Sequence, residues 1–113
     1  PISPETSATM RTMLGNVIDP GWYHPAKPRL YSAGGKSGTA NVPINAGYDD
    51  TQIVSFAGFA PLQDPRILIL VKLDENADLV TGTEAAGPIF AALVDEVLGY
   101  LSIPPDIEQV AAR

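Results

Sequence analysis

Gly34-Gly35-Lys36-Ser37-Gly38-Thr39-Ala40 reads as an extended segment that carries an ammonium, two hydroxyls and a position without a side chain. Side chains alternate along extended chain, so Ser37 and Thr39 are expected on one face and Lys36 on the other. Gly38 leaves room for a second backbone to come close. Gly35-Lys36-Ser37 also matches the end of a phosphate-binding loop. That motif needs glycine where this chain has Leu30, and a helix where Pro43 follows instead, so nucleotide binding is set aside.

Working outward, Ser3-Pro4-Glu5 reads as a helix start, with Ser3 as N-cap, Pro4 in the first helical position and Glu5 near the positive end of the dipole. Met10, Met13, Leu14, Val17 and Ile18 then recur at helical spacing as one expected buried stripe, and Pro20-Gly21 ends it. Trp22 to Pro28 reads as loop, and Leu30 to Ala40 as the first strand. Asn41 to Thr51, with Pro43, Gly47 and the Asp49-Asp50 pair, reads as an exposed connection. Gln52 to Ala60 is the expected second strand, and Pro61 to Pro65 a turn tight enough for an antiparallel hairpin.

Arg66 to Leu73 is the third expected strand. Its run Ile67-Leu68-Ile69-Leu70-Val71 lacks alternation, which predicts cover on both faces. Asp74 to Gly87 reads as polar loop. Ile89, Leu93, Val97 and Leu101 lie four apart, widened by Phe90, Val94 and Leu98, and predict a last amphipathic helix closed by Pro104-Pro105. The expected fold is α+β: a three-stranded antiparallel sheet flanked by an N-terminal and a C-terminal helix, one incomplete domain over residues 1–113.

Composition narrows the chemistry. The chain has 113 residues, is 45% hydrophobic and 18% charged, and carries a formal charge of −6. Seven scattered basic residues cannot build the clustered positive surface that a nucleic acid demands. Without cysteine there is no disulfide, thiolate metal site or thiol nucleophile. His24 stands alone in a Pro-rich loop, reads as an exposed side chain, and builds no metal site by itself. Asp49-Asp50 and Asp74-Glu75 read as solvated surface, and Trp22 and Tyr23 as loop cover. No cofactor and no metal is expected. The longest apolar run is too short to cross a bilayer.

Several spaced motifs in order extend the Lys36 segment: Met13-Leu14 at the end of the first helix, Gly35 to Ala40, Ser55-Phe56-Ala57-Gly58-Phe59-Ala60-Pro61, Asp64-Pro65, Asp74-Glu75, and Ala86-Gly87-Pro88-Ile89-Phe90. Together they resemble the C-terminal part of class B penicillin-binding proteins, the transpeptidases of bacterial division and elongation, along nearly the whole chain. Lys-Ser/Thr-Gly on a strand is one of three signatures of serine acyl-transferases of this kind. The others, Ser-x-x-Lys and Ser-x-Asn, are missing: at the third position Ser3, Ser7, Ser32, Ser37, Ser55 and Ser102 are followed by Thr6, Met10, Gly35, Ala40, Gly58 and Pro105. Ser37 stands where threonine is commoner, and residues 76–83 lack the aromatic and paired glycines often found before the last helix. The chain begins at Pro1, which fits a truncated piece whose nucleophile lies upstream.

The resemblance implies a serine that attacks the penultimate D-Ala carbonyl of a peptidoglycan stem peptide, releases D-Ala and passes the acyl group to a neighbouring amine. It implies Lys36 as the cation beside the reacting serines, the Thr39 backbone N–H as an oxyanion donor, and Ser37, Gly38 and Thr39 as the surface for the substrate or a β-lactam carboxylate. It also implies a membrane-anchored parent protein with this domain outside the cytoplasm. By itself this piece is expected to be soluble and inactive, and to self-associate through exposed edges or apolar patches left by missing neighbours. The alternative is a non-catalytic interaction module built on the same fold remnant.

Overall fold

The computed structural model describes residues 1–76 and 81–107. Its elements run α1 (Pro4–Ile18), β1 (Gly34–Ile44), β2 (Gly47–Ala60), β3 (Ile67–Asn76), α2 (Gly82–Ala85) and α3 (Gly87–Tyr100). The three strands form one antiparallel sheet in the order β1-β2-β3, so β1 and β3 are its two edges among the described residues. The α+β architecture expected from sequence is present.

Local chemistry sets the boundaries. Ser3 Oγ accepts the Thr6 N–H at 3.1 Å, and Pro4 occupies the start of α1. The first hairpin is longer than expected, because β1 and β2 continue through Asn41 to Thr51 to a tight turn between Ile44 and Gly47. Gly47 supplies φ +138° there, a conformation that disfavours other residues. The ladder shifts register between Asn41 and Pro43, where proline has no N–H to donate. Pro43 therefore marks a kink in the hairpin rather than an open loop. The second connection closes as expected, with the Arg66 N–H donating to the Ala60 carbonyl at 2.9 Å.

The α3 side of the sheet holds the core. Val54, Phe56 and Ala60 of β2 alternate onto this face, and Phe56 meets Phe90 of α3 with ring centroids 5.0 Å apart. A Cβ at Gly58 would stand 2.5 Å from the Phe90 ring, so this glycine admits the aromatic. Phe90, Val94 and Leu98, joined by Ala91, form the buried stripe of α3, while Ile89, Leu93 and Leu101 face outward. The expected stripe is thus rotated by one residue. Seven apolar positions cover so much of the helix that spacing alone left its buried side open.

The α1 side is only partly covered. Ile18 is buried and Leu14 half-buried, but Met10 and Met13 are exposed, contrary to the expected five-residue stripe. The helix touches the sheet along a narrow line, where a Cβ at Gly34 would stand 3.2 Å from Leu14 Cβ, and one at Gly15 would meet Leu62. Leu68 and Leu70 of β3 share this face and are 79% and 66% exposed. The apolar run of β3 is therefore covered on one face only: Val71 is buried and Ile67, Ile69 and Leu73 pack on the core, while no described helix reaches Leu68 or Leu70.

Asp74 to Gly87 is not loop throughout, since β3 continues to Asn76 and α2 begins at Gly82. Residues 77–80 of that expected loop lie outside the described residues, as do the side chains of Asp49 and Glu75, so the expected surface roles of those two carboxylates are not met here. Asp50 and Asp74 are exposed.

Candidate functional site

Lys36, Ser37, Gly38 and Thr39 lie in the middle of edge strand β1, opposite Ala57, Phe56, Ser55 and Val54 of β2. The residues Gly35, Ser37 and Thr39 face the α3 side; Gly34, Lys36 and Gly38 face the α1 side. A Cβ at Gly35 would meet the Phe56 ring, whereas one at Gly38 would stand 2.7 Å from Ser55 Oγ. Despite starting from the opposite face, the Lys36 ammonium curls around the edge. It donates to Ser37 Oγ at 3.2 Å and to the Ser37 carbonyl at 3.1 Å.

Backbone direction follows from two further contacts. The carbonyl oxygens of Gly38 and Ser55 would lie 2.6 and 2.4 Å from a Cβ placed on Gly82, so both are turned into the β1-β2 ladder at one point. Among the described residues the one cis peptide is Ala60-Pro61, so the Gly38-Thr39 unit is trans and planar. Its N–H, that of Thr39, therefore points the opposite way, out across the free edge. Ser37 obeys the same alternation, since its carbonyl is the one the Lys36 ammonium reaches from outside. The edge thus brings together an ammonium, a hydroxyl and an outward backbone N–H.

Thr39 Oγ1 already has a partner: the Gly82 N–H donates to it at 3.4 Å. The opening of α2 is held by Thr81, whose Oγ1 accepts the Glu84 N–H at 3.3 Å while Glu84 Oε2 accepts the Thr81 N–H at 3.2 Å. Residue-type and spacing arguments did not find this contact, because Gly82 is remote in sequence and carries no chemical group of its own.

The approach to β1 is fixed from the other end of the chain. Asp95 of α3 accepts the N–H groups of Arg29 and Leu30 at 2.9 and 3.0 Å. Asp106 accepts the Ser32 N–H at 2.7 Å and also its hydroxyl, while Ser32 Oγ accepts the Leu62 N–H at 2.9 Å. Tyr31 is buried, and its hydroxyl donates to the Ile103 carbonyl at 2.6 Å. None of these carboxylates stood out in the sequence, since an isolated Asp that caps backbone looks like any surface acid. His24 is half-buried rather than exposed: its Nδ1 accepts the Ala26 N–H at 3.2 Å, and burial lowers its pKa below 6.5. Trp22 and Tyr23 are largely exposed.

An open apolar groove of about 250 Å³ lies between α1 and the second connection, lined by Ile2, Met10, Leu14, Phe59 and Pro65 with Ser7 and Arg11. It contains none of Lys36 to Thr39, so the polar edge of β1 lies outside this groove. Among the described residues no group of three or more His, Asp or Glu is gathered, and no helix is long and apolar enough to cross a membrane.

The polar edge, with its ammonium, hydroxyls and outward N–H, thus lies on a sheet backed by α3. Residues 1–95 match the penicillin binding protein transpeptidase domain, and the chain belongs to that family. It is 34% identical to the stage V sporulation protein D of Bacillus subtilis over 99% of its length, and 34% identical to the probable peptidoglycan D,D-transpeptidase PenA of Neisseria meningitidis over 95%. The chain spans 18% and 19% of those proteins, about a fifth of each. Among solved structures, the apo transpeptidase domain of Burkholderia pseudomallei penicillin-binding protein 3 superposes with a TM-score of 0.84 and 38% identity. That match covers 95% of this chain and 33% of the other. The crystal structure of a peptidoglycan glycosyltransferase from Burkholderia ambifaria gives 0.75 and 35%, covering 94% and 31%.

Proposed function

We propose that this chain is the C-terminal part of a peptidoglycan D,D-transpeptidase and forms the wall of the cleft opposite the nucleophile. The observation that carries this reading is the juxtaposition on one free strand edge of the Lys36 ammonium, Ser37 Oγ and the outward Thr39 N–H, in a chain of the transpeptidase family. The substrate is a stem peptide of peptidoglycan, and β-lactams compete for the same place.

In the proposed reaction a serine outside these residues adds through its oxygen to the penultimate D-Ala carbonyl. Its proton passes to the general base, and the tetrahedral oxyanion is held by the Thr39 N–H and a second donor from the nucleophile's own backbone. Collapse breaks the peptide bond, and terminal D-Ala leaves with a proton on its amine. An amine of a neighbouring stem then attacks the acyl-enzyme, forms the cross-link and returns the serine. Lys36 places positive charge beside the reacting hydroxyls and assists proton movement. Ser37 and Thr39 hydroxyls receive the substrate carboxylate, for which the Thr39 Oγ1 lone pair shared with Gly82 leaves its own proton free to donate. The unpaired groups of Thr39 pair with the substrate backbone as an added strand.

The parent protein is proposed to be membrane-anchored with this domain on the extracytoplasmic face, serving wall synthesis at division or elongation. A non-catalytic module that binds a protein partner along the same edge is the second reading, which a full-length protein without Ser-x-x-Lys and Ser-x-Asn would favour. Release of D-Ala from a stem pentapeptide by the full-length protein tests between them. Turnover in the wild type, falling about 10²–10⁴-fold in Lys36→Ala, supports the enzyme; a wild type that releases none supports the module.

A further inference from the structure

Gly82 occupies a hole in the surface of the motif strand. Gly38 and Ser55 turn their side-chain positions to the α1 face, so on the α3 face the ladder between Ser37 and Thr39 is bare backbone. Gly82 fills that gap. It is buried, and a Cβ on it would stand 2.4 Å from Ser55 O, 2.6 Å from Gly38 O and 3.3 Å from Ser37 Cβ. Its φ lies outside the left-handed range, so the demand for glycine is one of space alone.

Two of those three atoms are backbone and cannot swing aside as a side-chain tip could. The Gly38 oxygen is one end of the peptide unit whose other end is the Thr39 N–H. Pressure on that oxygen tilts the planar unit as a whole, and the N–H at the open edge moves with it. The Gly82 N–H meanwhile holds Thr39 Oγ1, and the Thr81–Glu84 capping box fixes Gly82 in place.

We infer that Gly82 is a positioning residue for acyl transfer: by seating α2 against the Gly38 carbonyl without a Cβ, it sets the direction of the Thr39 N–H toward the oxyanion. This rests on the transpeptidase reading above and adds to it a residue outside the motif. It touches no substrate and acts through the Gly38-Thr39 peptide.

The test is rapid-quench acylation of the full-length protein by a fluorescent penicillin, separating non-covalent affinity, acylation rate constant and active fraction. In Gly82→Ala the rate constant falls about 10–100-fold, part of the 10²–10³ that loss of one oxyanion donor costs, while the non-covalent affinity changes less than threefold. Gly99→Ala, in open space at the exposed end of α3, leaves all three quantities unchanged. A purely structural role lowers the active fraction but leaves the rate constant of the folded remainder within twofold of wild type, and that result overturns the proposal. If Gly82→Ala does not fold, Thr81→Ala, which breaks the capping box, carries the test: a fall of threefold or more in the rate constant supports the role, and an unchanged constant overturns it. A wild type that takes no label breaks the functional reading itself, and the positioning role falls with it.

Discussion

Among the described residues the two edges of the sheet are both open, and they differ in what they present. On β1 the exposed side chains of the Lys36 to Thr39 segment are polar, the Lys36 ammonium is wrapped onto the edge, and Gly82 braces the strand from behind. On β3 the outward side chains include Leu68 and Leu70, bare on a face that α1 reaches only near Gly34 and Phe59. An unpaired edge invites another chain. The β1 edge presents polar groups to solvent, whereas β3 has the character of core without its cover. A free strand edge is therefore not by itself a site; what distinguishes the two is which chemical groups the edge presents and how rigidly they are held.

The largest effect expected from breaking this contrast lies on β1. Proline at position 39 removes the outward N–H and no ladder hydrogen bond, since an edge strand tolerates proline where its N–H faces away from the sheet. In the full-length protein Thr39→Pro is expected to lower penicillin acylation about 10²–10³-fold, whereas Thr39→Val, which keeps the N–H, loses distinctly less. Equal losses in the two variants would mean that the hydroxyl and not the N–H matters. On β3 the expected effect is on association. We propose that the isolated chain self-associates through its apolar face, and that Leu68→Lys with Leu70→Lys shifts light scattering toward monomer; no change in the apparent mass would show that this face is inert.

A smaller effect tests what holds the polar edge in place. Asp106→Ala leaves the Ser32 N–H and hydroxyl to water in place of their acceptor, and is expected to cost about 0.5–1.5 kcal/mol in denaturant unfolding. A loss below measurement would mean that the 103–107 tail is not part of the support of β1. The smallest effect belongs to neither edge. Burial lowers the pKa of His24, so the unfolded chain binds its proton first as pH falls. The contribution of His24 is complete above its ordinary value of 6.5 and is lost as pH drops from there through the folded value. Thermal melts between pH 7.5 and 5.5 are expected to show a slight decline that His24→Gln flattens; an unchanged slope in the variant would assign the decline to other groups.

The strands and the two long helices were legible because their signals are local, whereas α2 was not. Ser3-Pro4-Glu5 caps α1, Pro61 to Pro65 turns the chain, and Lys36 to Thr39 alternates as extended sequence must. What the sequence concealed depends on neighbours. Ile67 to Val71 reads as a strand covered twice, but an apolar run records the cover a strand is built for, not the cover present within these residues. Met10 and Met13 carry the helical period of a buried stripe, yet the helix meets the sheet along Leu14, Gly15 and Ile18. Of the site, Lys36, Ser37, Gly38 and Thr39 were visible as a motif. Gly82, Asp95 and Asp106 were not, since their roles come from long-range contacts and their residue types are common on any surface.

The central claim is that the β1 edge faces a serine that these residues do not contain. Peptide mapping after incubation of the full-length protein with a labelled penicillin tests it most directly. The expected result is a stoichiometric acyl adduct on a serine outside residues 1–113, with none formed by the isolated chain. No adduct on the full-length protein, or an adduct on Ser32, Ser37 or Ser55, would contradict the account.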